Sequence, residues 1–398
     1  MGKHIAFITG PASGHINPTL PLVRELTKRG HRVSYVTAAE FAATIEAAGA
    51  TPIVLDWGLK PIKASKGGQT TGELAAMLLS NIGSTRKVLP HVEQWLADDP
   101  PDLICYDSLT VLGSIVADRL GVPGVATVPN FAGNDKVNLI SLVIPPDFDP
   151  SHPTMREYVA ARKRLAEDFG VADETIAGAG AFNKLNLVFL PREFQIHGEL
   201  FGDDFLFIGP SFGDREDDSD DWQPPTGGRP LLFVSLGTVV NDRADFFALC
   251  VKAFGGTEWH VAMAVGHQVD VAELGEIPGN IDVRPYFPQP TVLRHATVFL
   301  SHAGMGSTME SLMRQVPLVT YPQIPEQTAN ARRVAELGLG RLLDTTRDLD
   351  PDELRRTVQE VAADQAIRAN LARMAEHLRA AGGPAAGADA VEELLPGV

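Results

Sequence analysis

The chain has 398 residues, 44% hydrophobic and 21% charged, with a formal net charge of −16. That length exceeds what one hydrophobic core usually serves and predicts two domains, and the composition gives no reason for wholesale disorder. The acidic balance argues against non-specific binding to nucleic acid or an anionic membrane, since both need clustered Lys and Arg. It leaves room for a nucleotide-sized anion, because backbone N–H groups at a helix N-terminus can hold a diphosphate whatever the global charge.

The opening segment MGKHIAFITG enters a strand directly, and no apolar run is long enough to span a bilayer, so a soluble cytoplasmic protein is expected. Strand and helix patterns then alternate. Residues 4–9 read as a strand, 18–29 as a helix, HRVSYVT as a strand, 39–48 as a helix, TPIVLD as a strand and a region near 71–97 as helical. DLICYD, a helix near 109–120 and GVATV follow. Such alternation predicts a wound α/β layer with a parallel sheet. In the first helix Asn17 suits the N-cap and Pro18 the first helical position. Ile16, Leu20 and Val23 mark the buried stripe, and Gly30 suits the close.

Between about 130 and 185 the period is lost. FAGNDKVNLISLVIPPDFDPSHP is a long irregular insert of the kind that forms a binding loop, followed by the helical TMREYVAARKRLAEDFG. LNLVFL and FLFIGP close the first unit. The acidic, Pro- and Gly-rich SFGDREDDSDDWQPPTGGRP has linker composition. Alternation restarts with a strand at 231–235, a helix at 243–254, strands EWHVAMAV, IDVRPY and ATVFLS, a helix at 307–315, strand PLVTYP, a helix at 325–337 and closing helices near 351–362 and 365–380. The expected organisation is α/β: residues 1–212, a linker at 213–229 and a second wound unit at 230–398, whose last helix is able to pack back on the first. Ligands of such sheets gather at the strand carboxyl ends. The two cysteines, Cys105 and Cys250, sit in apolar contexts without metal-ligand spacing and read as reduced core residues.

The densest polar cluster is YFPQPTVLRHATVFLSHAGMGSTMESL, residues 286–312. Its strand runs to His302, and Gly304 and Gly306 let the backbone approach a ligand before a helix beginning at Ser307. The orphan N–H groups and positive dipole end of that helix make a seat for a diphosphate. Ser307 and Glu310 also have S-x-x-E spacing, and on that spacing alone a capping box is favoured. Glu326 and Gln327 follow Pro325 at a helix start. They fit either a favourable dipole contact or a carboxylate and an amide presented to sugar hydroxyls.

Asp107 ends a buried strand and suits an N-cap, and His15 lies in the turn GPASGHINPTL after the first strand. Each alone fits a structural role. Together they place an acid and an imidazole at carboxyl ends of parallel strands, where a carboxylate can fix the tautomer and raise the basicity of the other ring nitrogen. Such a dyad suits deprotonation of a hydroxyl. Asp-x-Asp pairs at Asp147/Asp149, Asp218/Asp220 and Asp348/Asp350 follow no strand and are discounted as cation sites. No G-x-G-x-x-G follows the first strand, against a dehydrogenase.

GPASGHINPTLPLVRELTKRGHRVSYVT, PDLICYD, LLFVSLGT and YFPQ…SHAGMGSTMES…PLVTYPQIPEQTANA resemble the nucleotide-sugar-dependent glycosyltransferases of the GT-B fold. The nearest group is the bacterial macrolide and natural-product enzymes, related to plant and mammalian UDP-glycosyltransferases. The resemblance runs from residue 3 to about residue 395. It implies two Rossmann-like domains, the first binding the acceptor and the second the sugar nucleotide. His15 matches the general base and Asp107 the aspartate that orients it. His302, Gly304, Gly306, Ser307 and Thr308 match the diphosphate segment, with Thr238 facing it from the neighbouring loop. Glu310 matches the ribose-binding glutamate, Gln289 with Tyr286 and Phe287 the nucleoside region, and Glu326 with Gln327 the Asp-Gln pair that reads sugar hydroxyls. Tyr286 replaces a tryptophan common in relatives, Glu326 replaces the usual Asp, and Gly306 stands where plant members have asparagine.

The implied activity is inverting transfer of a hexose from a UDP-sugar, UDP-glucose favoured, to a hydroxyl of a bulky apolar acceptor such as a macrolide or flavonoid. No metal or other cofactor is expected, and the protein would work as a monomer or homodimer. A GT-B sugar-nucleotide isomerase resembling UDP-GlcNAc 2-epimerases and a non-catalytic nucleotide-sugar-binding partner are the alternatives. Turnover without acceptor marks the first and binding without turnover the second.

Overall fold

The computed structural model describes residues 2–58, 70–138, 144–145, 147–172, 184–211, 222–238 and 241–396. Most of the linker at 213–229 and part of the insert, including 139–143, lie outside them. The described residues form two compact units. One draws on residues up to 211 and again on those from Ala380, the other on residues from Trp222 to Arg379.

The first unit runs β1 (His4–Ile8), α1 (Ser13–Ile16), a 3-10 turn (Asn17–Thr19), α2 (Leu20–Lys28), β2 (Arg32–Thr37), α3 (Ala42–Ala47), β3 (Thr51–Val54) and α4 (Thr71–Asp98). It continues with β4 (Leu103–Asp107), α5 (Val111–Leu120), β5 (Gly124–Val128), α6 (Pro153–Phe169), β6 (Leu185–Val188) and β7 (Phe205–Phe207). The strands form a parallel sheet in the order β3-β2-β1-β4-β5-β6-β7.

The second unit runs β8 (Leu231–Ser235), α7 (Ala244–Phe254), β9 (His260–Ala264), β10 (Ile281–Arg284), α8 (Gln289–Leu293), β11 (Val298–Ser301), α9 (Met305–Met313) and β12 (Leu318–Thr320). Helix α10 (Pro325–Glu336), β13 (Gly340–Leu342), α11 (Pro351–Ala363) and α12 (Gln365–Ala380) complete it, and α13 (Gly383–Glu393) rejoins the first unit. Its sheet is also parallel, ordered β10-β9-β8-β11-β12-β13.

Alternation along β1 divides the first core. Ile5 and Phe7 pack with Leu22, Val23 and Leu26 of α2, whereas Ala6 and Ile8 pack with Leu89 and Val92 of α4 and with Leu112 and Ile115 of α5. Both faces are covered, which is why β1 is apolar from Ile5 to Ile8 instead of alternating with polar residues. Each such aliphatic side chain contributes about 1.5–3 kcal/mol on burial. Ala388, Val391 and Leu395 close the α2 side. Arg29 ties α2 to the last helix by donating to Glu25 (2.9 Å), Asp389 (2.6 Å) and Glu392 (2.7 Å). In the second unit Phe233 stacks on Phe299, ring centres 4.9 Å apart, and Cys250 is buried and free like Cys105.

Several local expectations give way to tertiary contacts. Asn17 is not an N-cap: its backbone is helical, and the chain is wound from Ser13 onward. Ser307 is not a cap either, because α9 begins two residues earlier, at Met305, after Gly304. The capping box sits instead at Thr70 and Glu73, ahead of α4. Strand β13 and helix α13, too short or too Ala- and Gly-rich to stand out in the sequence, are present.

The start of the insert is buried. Phe131 stacks on Phe194, and the Gln195 amide accepts from Ala132 N and donates to its carbonyl. Asp147 accepts from Thr71 N, and Asp350 caps α11, so both serve local structure.

Helix α5 lies so close to β4 that a Cβ at Gly113 would overlap the Tyr106 side chain. Gly113→Ala is therefore expected to destabilise the protein by about 1–3 kcal/mol through overpacking. For a unit of this size that lowers Tm by roughly 2–10 °C. An unchanged calorimetric Tm would show that α5 is free to shift.

Candidate active site

Two groups of polar side chains lie beyond strand carboxyl ends, one in each unit. In the first unit β1 and β4 are neighbours, so the loops that follow them stand side by side. The single turn α1 carries His15, one quarter exposed, and Asp107 ends β4 with 1% exposure. His15 Nδ1 and Asp107 Oδ2 are 2.6 Å apart. The other carboxylate oxygen accepts from Leu109 N at 2.8 Å, so Asp107 closes a turn ahead of α5 while Thr110 takes the cap position. Backbone and imidazole thus fix the carboxylate from two sides. With Nδ1–H donated to Asp107, the lone pair of the neutral ring sits on Nε2.

The His15 turn is held from beneath. Thr19 Oγ1 donates to the Ile16 carbonyl at 2.8 Å, and the same oxygen is 2.8 Å from the phenol of Tyr35, which also donates to Thr9 at 3.1 Å. Tyr35 is fully buried against Phe7, and burial raises its phenol pKa. Neither Thr19 nor Tyr35 stood out in the sequence, where both read as ordinary members of a helix and a strand.

In the second unit β8, β11 and β12 are adjacent, and their following loops carry most of the remaining candidates. The His302 ring is clamped between glycines: a Cβ at Gly237 would stand 2.6 Å from its Cε1 and Nε2, and one at Gly304 would overlap Nε2. Ala303 takes a left-handed φ of 63°, which costs a non-glycine residue about 1–2 kcal/mol. Ser301 Oγ and Asn330 Nδ2 hold its N–H and carbonyl at 3.1 and 2.9 Å. Burial pushes the His302 pKa down to about 4, the Ser235 backbone offsetting part of the shift, so the ring is neutral at pH 7. Its Nδ1 and the Thr308 hydroxyl are buried and have no hydrogen-bond partner among the described residues.

No side chain caps α9, so its first N–H groups face the same turn. Gly306 lies on the open side of that turn, with nothing within 4 Å of where a Cβ would stand, and Thr238 is exposed beside Gly237.

Gln289 joins three candidates, its Nε2 donating to Ser307 Oγ (3.1 Å) and to Glu310 (2.6 Å). Ser307 and Glu310 are therefore linked through a third side chain and not as a reciprocal cap. Tyr286 is 69% exposed and presents an aromatic face, whereas Phe287 is turned into the core against Phe233. Glu326 accepts from Asn330 at 3.1 Å, and Gln327 is buried, its Oε1 accepting from Gln323 N at 2.8 Å. Asn330 thus bonds both to the turn after β11 and to Glu326, a bridge that the sequence does not mark beyond an i, i+4 spacing. Among the described residues no three His, Cys, Asp or Glu side chains group as metal ligands, and no helix is long and apolar enough to cross a membrane.

Residues 256–394 match the model of the Erythromycin biosynthesis protein CIII-like, C-terminal domain. The chain is 36% identical to the NDP-glycosyltransferase YjiC of Bacillus subtilis, covering 98% of this chain and 97% of that protein. It is 34% identical to the demethyllactenocin mycarosyltransferase of Streptomyces fradiae, over 98% and 86%. The solved structure of CalG4, the calicheamicin glycosyltransferase, superposes with a TM-score of 0.84 at 33% identity, over 100% of this chain and 99% of that one. Two parallel-sheet units, loop clusters at their carboxyl edges and near-full-length similarity lead to one conclusion: this chain is an enzyme of the macrolide and natural-product glycosyltransferase family, with the GT-B fold.

Proposed function

We propose that the enzyme transfers a hexose with inversion from a UDP-sugar, UDP-glucose favoured, to a hydroxyl of a bulky apolar natural product. The observation that carries this reading is the 2.6 Å contact between His15 Nδ1 and the buried Asp107 carboxylate. Asp107 holds the tautomer with a basic Nε2 and stabilises the imidazolium that forms as the acceptor proton arrives. The acceptor oxygen attacks the anomeric carbon, the bond to the diphosphate oxygen breaks, and UDP leaves with that electron pair. Attack from the face opposite the leaving group converts an α-linked donor into a β-glycoside.

The leaving diphosphate is received in the second unit by the uncapped N-terminus of α9 and by hydroxyls of Ser307 and Thr308. His302, neutral and with no partner at Nδ1 among the described residues, supplies polarity without a full charge. These groups take the place of a metal, and transfer is expected to survive a chelator. Glu310, oriented by Gln289, suits the ribose hydroxyls, and exposed Tyr286 suits stacking on the base. Glu326 and Gln327 suit the hexose, which favours a sugar that keeps its hydroxyls.

A donor-by-acceptor matrix read by mass spectrometry tests the activity. With the best pair, His15→Ala is expected to lower kcat by about 10²–10⁴-fold, the range for a lost general base. Asp107→Asn should also lower it, with donor KM little changed. Wild-type turnover by His15→Ala would remove the base assignment.

The sign for His302 follows from burial. Its folded-state pKa of about 4 lies below the unfolded 6.5, so the unfolded chain binds the proton first. The stability associated with the neutral ring is present above pH 6.5 and is lost as pH falls toward 4, by up to about 3 kcal/mol. Urea unfolding of wild type and His302→Gln between pH 7 and 4.5 should show a steeper fall for wild type; parallel curves would mean that the ring is not held neutral.

A further inference from the structure

We propose that Arg243 is a positioning residue for the donor sugar, acting through Gln323 on Gln327; this rests on the glycosyl-transfer reading above. Arg243 is the residue before α7, in the loop after β8. Its guanidinium pairs with nearby Asp245 at 2.8 and 2.9 Å. That bidentate contact would satisfy a surface arginine. The side chain nevertheless reaches the loop after β12, where it donates to Gln323 Oε1 at 2.6 Å and to the Tyr321 hydroxyl at 2.9 Å. It also lies 5.3 Å from the centre of the Tyr321 ring, which is stacked on Phe246 at 4.2 Å.

Sheet order gives this reach its meaning. Strands β8 and β12 flank β11, so Arg243 bridges the loops on either side of the one that carries His302. Gln323 passes the constraint on: its Nε2 donates to the Tyr321 carbonyl at 2.8 Å, and its backbone N–H donates to Gln327 Oε1 at 2.8 Å. That bond turns the Gln327 carbonyl toward the loop and fixes the amide's orientation, and the Nε2–H₂ is the end we assign to the sugar. Arg243 thus determines which half of the Gln327 amide meets a sugar hydroxyl, and where. A lysine keeps the charge but not the planar fork, and it cannot hold Asp245, Tyr321 and Gln323 together.

The test compares wild type with Arg243→Lys, Gln323→Ala and the double variant, using the donor that wild type turns over fastest. Each single variant should raise donor KM about tenfold, equivalent to roughly 1.4 kcal/mol of lost donor binding. The double variant should be no worse than the poorer single, since both changes break one chain of contacts. Affinity for UDP alone, measured by calorimetry, should stay at the wild-type value, because UDP lacks the sugar that Gln327 meets. Wild-type donor KM in both single variants, additive effects in the double variant, or a proportional loss of UDP affinity would each overturn the role. If Arg243→Lys does not fold, Gln323→Ala decides alone. Absence of transfer by the wild-type enzyme defeats the glycosyl-transfer reading itself, whereas wild-type transfer with unchanged variants defeats only the role of Arg243.

Discussion

Every strand in both sheets runs parallel to its neighbours, so each unit has one edge where all the carboxyl ends gather. A parallel sheet must be covered on both faces, which commits the helices to packing and leaves chemistry to the loops at that edge. The order of the strands then decides which loops meet. Because β1 lies beside β4, residues 92 positions apart in sequence share a hydrogen bond at the first edge. Because β8, β11 and β12 are consecutive, three further loops meet at the second.

The two edges are built with different chemistry. At the first, a carboxylate with 1% exposure is satisfied by an imidazole and a backbone N–H, giving a polar pair that is oriented in advance. At the second, a buried imidazole nitrogen and a buried hydroxyl lack partners among the described residues, as the Thr37 hydroxyl does at the end of β2, and Ala303 is held in a left-handed conformation. Orphaned polar groups and backbone strain both cost free energy, and both concentrate where a ligand supplies what the fold withholds. On the proposed reading, the first edge moves a proton and the second receives an anion.

The alternation of strands and helices and the division into two wound units were legible from hydrophobic period, and His15, Asp107, His302, Ser307, Glu310, Glu326 and Gln327 from their positions at strand and helix ends, whereas Thr238, Tyr286 and Gln289 came only from the family resemblance. What spacing misjudged was the use of polar side chains. Ser307 and Glu310 have the spacing of a capping box, yet Gln289, eighteen residues before Ser307, takes both. Asn17 and Asp107 have cap chemistry, but the wound turn that brings His15 to Asp107 overrides it. Arg243, Gln323, Asn330 and Tyr35 were invisible because their importance comes only from partners on other strands. Phe287 lies within a recognisable motif, and only burial shows that its ring belongs to the core.

On the proposed reading, transfer is a direct displacement by an acceptor oxygen that His15 deprotonates. Proton NMR of the product formed from an α-linked UDP-hexose tests it most directly, since the coupling at the anomeric proton reports the configuration. A β-glycoside is the predicted product, and an α-glycoside from the same donor would contradict a single inverting displacement.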